Sequence, residues 1–416
     1  MPNTILTPDI ILRKCLQVLH AKLNFIGKIN RQYDSQFASA GGKIGESLRI
    51  RLPEKYVVKT GATLQVQDST EQYTTMTVAT QKHVGMKFTT RELTMSIEDF
   101  TERKIVPAMS MLASSVEADA LSMVLDIYNQ VGTEGTVPQT LKVFGDARAK
   151  LNQYLAPMDQ NRTMLLTSAV SSTLVDKIST LFHDSAEISR QYREGIMGRA
   201  MGFTFAENDL LPTLTNGTRV VSAGQVVDVS AGWVDGSTTL KITGGTSAGT
   251  ILAGEILTLG GAAGNGIYAV HPETKTAYPW LQQFVVTTGT TLSSGGGTIS
   301  IYPAPTLTGP YQNISVTPVN GTTSVNFVNA TYNGSGAASN AISTLIGFHK
   351  DAFAFVSADL EMPSGVDFAA RKVMDGISMR IIRQYDINND TIPARIDVFY
   401  GYKTIRPELA VRVIGN

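Results

Sequence analysis

Apolar positions along this chain change period several times, and each change predicts a different kind of element. The longest helical signal runs from Ser96 to Val131. Ile105, Met109, Leu112, Val116, Ala120, Met123, Ile127 and Val131 recur at steps of three and four, which places them on one face of an α-helix. Glu117, Asp119 and Asp126 fall mostly off that face. Ser96 is suited to cap the helix, Asp99 adds negative charge at its positive end, and Gly132 follows as a stop. Pro107 is discordant: it either kinks the helix or starts its second segment. From Pro107 to Val131 the rod is on the order of 35 Å long at 1.5 Å per residue. Such a rod reads as a spine, not a site.

On the N-terminal side, Thr7-Pro8-Asp9 opens a short amphipathic helix within residues 4–24 that carries Ile11, Leu12, Leu16, Leu19 and Leu23. From Ser47 the period becomes two, with Leu48, Ile50 and Leu52 alternating against Ser47, Arg49 and Arg51 until Pro53. The segment 54–93 is poor in large apolar residues and rich in Thr and Gln, and alternation returns at Val84, Met86 and Phe88. A two-stranded ribbon of this kind is marginal alone in water, so it is expected to lie on another surface, such as that of a neighbouring subunit. After the spine, Leu141, Phe144, Leu151 and Leu155 mark a helix stopped by Pro157, and Thr163–Thr167 reads as a buried central strand. Ser168 is expected to cap a helix bearing Leu174, Val175, Ile178 and Leu181. Residues 183–194 read as a polar loop. Glycine-spaced apolar residues from Gly195 to Phe205 then predict tight turns leading into a strand, ending at Leu211-Pro212.

At about Thr213 the composition shifts. Residues 213–340 carry only Arg219, Asp228, Asp235, Lys241, Glu255, Glu273 and Lys275 as charges, yet hold more than half of the chain's 37 glycines. Runs such as Thr239–Ile242, Glu255–Leu259, Phe284–Thr288 and Thr298–Tyr302, separated by Gly, Ser and Asn turns, predict a small all-β sandwich or barrel. The segment reads as an insertion, because the strands after it, 342–358, 377–385 and 393–415, have no helix of their own and need the core begun before Leu211. Gly376–Tyr385, a turn at Asn388-Asn389-Asp390, and Ile396–Tyr402 predict a hairpin, closed by Arg406-Pro407-Glu408 and a last strand Leu409–Ile414.

Length and charge narrow the function. A chain of 416 residues is expected to form two or three folded units, and 43% hydrophobic against 17% charged content is unlike a disordered chain. Lys+Arg and Asp+Glu are both 35, so the net charge is zero, which disfavours nucleic-acid binding as the main task. Residues 1–60 hold a local basic excess: ten Lys and Arg against Asp9, Asp34, Glu46 and Glu54. That excess is either a solvated face or an arm that touches an acidic partner or an inner surface. Cys15 is the only cysteine, so no intramolecular disulfide forms, which fits a reducing compartment. Lys22, Lys28 and Arg31 crowd the place of a signal peptide's apolar core, and no stretch is expected to reach the roughly 20 apolar residues of a membrane span.

Candidate chemistry is sparse. His20, His83, His183, His271 and His349 are scattered, and none pairs with another or with Cys15 at metal-ligand spacing. No G-x-S-x-G, H-E-x-x-H, C-x-x-C or P-loop pattern occurs. Gly261–Gly266 is glycine-rich but lacks the lysine and helix of a phosphate cradle, and reads as a turn between strands. Asp359 with Glu361, and Asp386 with Asp390, sit in turn-like contexts where solvated acids are ordinary. Arg380 and Arg383 fall on opposite faces of one strand. The Asn-initiated glycosylation triplets at 216, 313, 320, 329 and 333 are what a Thr/Ser-rich segment contains by chance. No catalytic, cofactor-binding or metal residue is assigned, and the chain is not expected to be an enzyme.

The order of parts is more informative: basic arm, polar ribbon, spine helix, α/β unit, β insertion, returning strands. This order resembles the major capsid proteins of tailed double-stranded DNA bacteriophages with the Hong Kong 97 fold, and more closely the coat proteins of short-tailed phages that carry an inserted β domain. The passages that carry the resemblance are Arg193–Pro212, Gly254–Thr288 (Gly-Glu-Ile-Leu-Thr-Leu-Gly-Gly through Leu-Gln-Gln-Phe-Val-Val) and Asp375–Val413. It implies an α+β capsid fold: 1–45 an N-terminal arm, 46–93 the E-loop, 94–138 the spine helix and P-domain, 139–212 the A-domain, 213–340 the inserted all-β domain, and 341–416 the return strands. It also implies a subunit that self-assembles, as procapsid and then mature head, into an icosahedral capsid around the phage genome. The implied partners are hexamers and pentamers of the chain itself, a scaffolding protein, a portal, and packaged DNA held without tight sequence-specific contacts. No cofactor and no membrane are implied, and assembly takes place in the host bacterial cytoplasm before the protein ends in the virion. Subunit contacts are expected at Arg13, Lys14, Lys22, Tyr56, Tyr73 and Arg91. Some relatives cross-link through a Lys–Asn isopeptide bond; no such pair is assigned here and non-covalent holding is expected. The competing readings are an encapsulin-like nanocompartment shell and a β-rich adhesin or glycan-binding protein.

Overall fold

Runs of Val, Ile, Thr and Phe with period two form strands, and among the described residues of the computed structural model strands outnumber helices. The structure describes residues 15–17, 19, 23–32, 47–68, 71–89, 106–133, 136–178, 198–218, 225–230, 233–244, 249–261, 266–293, 296–328, 341–374, 377–389 and 391–415. Two compact units emerge, Met1–Leu52 with Tyr73–Leu121 and Phe353–Ile405, and Pro53–Gln72 with Ser122–Ala352 and Arg406–Asn416.

The first unit is built on the strand Thr391–Thr404, which pairs antiparallel with Phe353–Ser357, Ile377–Arg383 and Thr80–Thr89. Phe368–Met374 continues the sheet beyond Ile377–Arg383. The predicted hairpin is present, with Ile381 opposite Ile396 and Asp386 bridging Thr391 at the turn. Its apolar alternation becomes one packed face, where Met379, Ile396 and Val398 are buried. The expected alternation at Val84 and Met86 also forms a strand, but Thr80–Thr89 joins the chain's own sheet. The stretch left without regular pairing is therefore shorter than the expected 54–93. Ser47–Arg51 pairs with Tyr73–Thr77 in register Arg51 to Tyr73, and Ile50, Met76 and Val78 pack on Ala354, Val356 and Ile405. Gly401 makes this packing possible: a Cβ there would stand 2.2 Å from the Thr77 carbonyl oxygen.

Helix α1, Val106–Leu121, lies in the same unit and buries Met109, Leu112, Ala113, Val116, Glu117, Ala120 and Leu121. The expected helix start at Ser96 lies outside the described residues. At the other end the expectation fails. After Leu121 the chain tightens into a 3₁₀ turn, Ser122–Asp126, and Gln130–Val131 is a strand parallel to Ala410–Ile414. Ile127 and Val131 keep the apolar spacing of a helix, yet the backbone gives up its helical bonds for a sheet ladder, with the Arg412 N–H donating to the Asn129 carbonyl at 2.7 Å. Val106–Asp126 is long and apolar enough by composition to cross a membrane, contrary to expectation, but half of its apolar window is buried inside the protein, as in a core helix. Glu117 accepts the Phe25 N–H at 2.5 Å and reaches the Ile26 N–H at 3.4 Å. That buried carboxylate caps the 3₁₀ turn Ile26–Lys28, and Asn30 ties the segment onward by bonds to Phe353 and Phe355.

The second unit holds two larger sheets. One orders the strands Gln130–Val131, Ala410–Ile414, Ala341–His349, Arg162–Leu166, Phe203–Glu207 and Arg199–Ala200, with Thr213–Thr215 also pairing with Ala341–His349. Arg162–Leu166 is central and buried throughout, as its apolar run predicts. The returning strand Ala341–His349 completes the sheet begun before residue 211, which is why it needs no helix of its own. Met201 and Gly202, both at positive φ, make the tight turn expected before Phe203–Glu207. Helix α2, Leu141–Gln153, buries Phe144, Ala147 and Leu151. Leu155, expected on it, lies past its end with φ 61°. Helix α3, Ser168–Ile178, is not capped as expected: the Ser168 N–H and hydroxyl both donate to the Asp209 carboxylate, at 2.7 and 2.9 Å, so Asp209 supplies the capping acceptor.

The other sheet is antiparallel, in the order Val325–Phe327, Ile256–Leu259, Gln283–Thr288, Gly297–Tyr302, Thr239–Thr243 and Val226–Val227. It contains all four β-rich runs read from the sequence. Leu240, Ile242, Leu257, Phe284, Val286, Ile299 and Ile301 form its buried core.

Candidate assembly surface

Among the described residues no group of His, Cys, Asp and Glu side chains is placed to hold a metal ion. The buried ionisable groups are absorbed by structure. His349 is buried, its Nε2 lies 3.1 Å from Asp159 Oδ1, and its Nδ1 lies 3.3 Å from the Asp351 N–H. Accepting that N–H at Nδ1 leaves the ring proton on Nε2, directed at Asp159. Arg412, fully buried, donates to the carbonyls of Gly254 at 2.9 Å and Ile127 at 2.6 Å. Burial pushes its pKa down to about 9. Asp397, also fully buried, accepts from Arg380, Arg395 and Gln81 at 2.8, 2.6 and 3.2 Å. Two of the acids weighed in the sequence have partners, with Asp359 facing Arg371 at 3.4 Å and Asp386 accepting the Asn388 N–H at 3.0 Å, while Asp390 lies outside the described residues. A cleft of about 480 Å³ beside the start of α2 is lined by Thr133, Thr136, Lys142, Asp146 and Ile414, and Lys142 and Asp146 pair with each other at 2.7 Å.

Solvent-facing apolar side chains supply the better candidate. In the loop 53–72 Val58, Leu64 and Val66 are 93%, 85% and 82% exposed. The loop is nonetheless shaped. The Gln67 side chain accepts the Val57 N–H at 3.0 Å and donates back to the Val57 carbonyl, closing a loop with Gly61 at φ 126° near its tip. Lys55 sits 5.6 Å above the Tyr311 ring. A loop held this way presents apolar groups at a small ordering cost. Covering three such side chains is worth on the order of 5 kcal/mol.

Of the contact residues expected from the sequence, Tyr56 belongs to this loop and is 61% exposed. Its hydroxyl donates to Glu54, and that bond to a carboxylate raises the phenol's pKa. Tyr73, in the first unit, is 53% exposed, with the Arg49 guanidinium 4.2 Å above its ring. Arg13, Lys14, Lys22 and Arg91 lie outside the described residues. Sequence reasoning missed Val58, Leu64 and Val66. Their signal was available as isolated apolar residues, without period, in an otherwise polar segment.

A family model described as P22 coat protein - gene protein 5 matches residues 4–415. No curated protein matches the chain in sequence. Among solved structures, one from Mycobacterium phage Che8 is similar at 11% identity and a TM-score of 0.46, covering 93% of this chain and 89% of that one. The mature capsid of bacteriophage PhiM1 is similar at 10% identity and a TM-score of 0.43, covering 89% and 82%. At such distances neither likeness bears on function. The family match spans nearly the whole chain: the chain belongs to the P22 coat protein family and is a structural subunit of a bacteriophage capsid.

Proposed function

We propose that this subunit builds an icosahedral shell from hexamers and pentamers, first as a procapsid and then as a mature head around double-stranded DNA. The observation that carries the reading is the loop 53–72, whose Val58, Leu64 and Val66 face water in the isolated chain. Apolar groups presented by a shaped loop are covered by a partner, and in a shell of identical tiles the available partner is a neighbouring copy. The loop then acts as an E-loop, α1 as the spine, and residues 213–340 as an inserted β domain on a Hong Kong 97-type tile. Tyr56 and Tyr73 are proposed subunit contacts. A net charge of zero suits a container whose cargo must not adhere to its wall.

Arg13, Lys14 and Lys22 are proposed to meet an acidic scaffolding partner, and a portal serves as the route by which DNA enters. Sedimentation and electron microscopy of the expressed protein, with and without its co-expressed scaffolding partner, test the proposal. Shell-sized particles are expected; a protein that stays monomeric in both conditions overturns it.

A further inference from the structure

Arg412 lies in the strand Ala410–Ile414 with 0% of its surface exposed, and its guanidinium reaches two separate stretches of chain. One Nη donates to the Ile127 carbonyl, just past the 3₁₀ turn Ser122–Asp126, at 2.6 Å. The other donates to the Gly254 carbonyl at 2.9 Å, in the turn that leads into the strand Ile256–Leu259 of the antiparallel sheet. The backbone N–H of the same residue donates to the Asn129 carbonyl at 2.7 Å. One residue therefore joins the last strand, the chain that follows the 3₁₀ turn, and the sheet of the insertion.

The turn it holds is built for close approach. Gly254 has φ 92°, and a Cβ there would stand 3.3 Å from both Leu125 and Leu214. The Gly254 N–H donates to the Val286 carbonyl and the Val286 N–H to the Glu255 carbonyl, both at 2.8 Å, so the turn is continuous with the inserted sheet. The buried Glu255 carboxylate accepts the Gly217 and Leu252 N–H groups at 2.8 and 2.7 Å, which ties the entering chain to the same turn. A second set of contacts lies at α2 and the strand Gln130–Val131. There the Tyr278 hydroxyl bonds Gln153 at 3.0 Å, Gln282 bonds Tyr154 at 3.2 Å, and Gln283 accepts the Gln130 N–H at 2.8 Å. A sheet held by that set alone can pivot about it, and the attachment at Gly254 fixes the angle. Among the described residues no carboxylate reaches the Arg412 guanidinium, and its buried Nε has no hydrogen-bond partner. Burying a guanidinium in this way is costly, and an apolar side chain would fill the space at less cost, so the two directed bonds are what an arginine adds here.

We propose that Arg412 is a positioning residue: by spanning the carbonyls of Ile127 and Gly254 it sets the angle at which the inserted sheet stands on the rest of its subunit. The proposal rests on the reading of residues 213–340 as an inserted domain of a capsid tile. In a shell of repeated tiles each inserted domain has to meet its neighbours at the same angle, and a pivoting sheet would present its surface at many. Methionine at this position fills the volume but joins nothing. Lysine keeps the charge, but its shorter stem and single head do not span both carbonyls.

Double electron–electron resonance on the unassembled full chain tests this, so a failure to build shells leaves the result readable. Spin labels are placed at Ser172→Cys on α3 and Thr238→Cys beside the inserted strand Thr239–Thr243, both exposed positions, in a Cys15→Ser background. With Arg412 in place one narrow distance is expected, and Arg412→Met and Arg412→Lys are each expected to give a distribution about twice as wide. A control pair at Ala149→Cys on α2 and Ser172→Cys on α3, both outside the insertion, is expected to stay narrow in all three proteins. A narrow Ser172–Thr238 distance in Arg412→Met overturns the proposal. Equal broadening of both pairs overturns it as well, since that is general loosening of the subunit. If Arg412→Met does not fold, Arg412→Lys is judged by the same two outcomes.

Discussion

Tyr400 donates its buried phenol O–H to the Asp119 carboxylate at 2.6 Å, and the same carboxylate oxygen receives the Lys82 ammonium at 2.7 Å. Lys82 also bonds the Ser115 hydroxyl at 2.7 Å. Helix α1, the strand Thr80–Thr89 and the central strand Thr391–Thr404 thus converge on one acid. Burial, and then the bond to Asp119, raise the Tyr400 pKa far above the usual phenol range. Asp119→Ala leaves the phenol hydroxyl buried without this acceptor and is expected to cost about 1–3 kcal/mol. Tyr400→Phe removes the hydroxyl itself and is expected to cost about 1 kcal/mol. Urea unfolding of the two variants checks the order; Tyr400→Phe proving the more damaging would show that the hydroxyl, and not its orphaning, matters.

Asp397 sets an acid limit on the same sheet. Burial pushes its carboxyl up, but hydrogen bonds from Arg380, Arg395 and Gln81 outweigh that and hold it below the usual carboxylate value. A depressed pKa gives stability that is complete above the ordinary carboxylate range and lost as pH falls below it. Asp397→Ala abandons Arg380 with a largely buried charge and is expected to cost roughly 3–5 kcal/mol at neutral pH. Melting temperatures at pH 7 and pH 3 provide the check: the gap between wild type and Asp397→Ala should narrow at pH 3.

Gly401 is expected to tolerate no side chain. The group that a Cβ there would meet is backbone, the Thr77 carbonyl, which cannot move aside as a flexible side chain can. Gly401→Ala should therefore displace the strand Tyr73–Thr77 and cost on the order of 2 kcal/mol or more. Gly85, where nothing lies within 4 Å, is the control, and Gly85→Ala should melt close to wild type. Equal melting temperatures for the two would contradict the packing described.

The division between what was legible in the sequence and what was not follows from the range of the forces. Leu48 and Ile50, the run Thr163–Leu166 and the hairpin around Asn388 were legible because period-two burial is a local pattern. The strand Phe368–Met374 was not foreseen, because Ala369, Ala370, Arg371 and Lys372 carry almost no alternation. Ile127 and Val131 misled for the opposite reason: apolar spacing at four residues looks the same whether a helix or a buried strand takes it up. Glu117, Asp397 and Arg412 are buried against partners as far as 92, 316 and 285 residues away in the chain, so no window of sequence reveals them. The candidate surface was half legible. Its ribbon was expected from polarity, while its apolar groups stand out only once their exposure is known.

Charge in the N-terminal arm gives a prediction independent of the loop. Reversal of Arg13, Lys14 and Lys22 to Glu should impair co-assembly with an acidic scaffolding partner while the thermal melt of the subunit is unchanged. Normal particle yield from that variant would reduce the basic arm to a solvated face.

Leu64→Asp with Val66→Asp is expected to leave the monomer's melt within about 0.5 kcal/mol of wild type, since both side chains already face water. The same pair of changes should reduce particle yield in sedimentation at least tenfold, because a buried subunit contact cannot accept an unpaired carboxylate. Unchanged yield would remove the loop from the assembly surface.

The most direct measurement is a cryo-electron microscopy reconstruction of the assembled particle, with the surroundings of Val58, Leu64 and Val66 read from it. A closed icosahedral shell in which a neighbouring copy covers these three side chains is the predicted result. A particle in which they remain open to solvent, or are covered only by their own subunit, would contradict it.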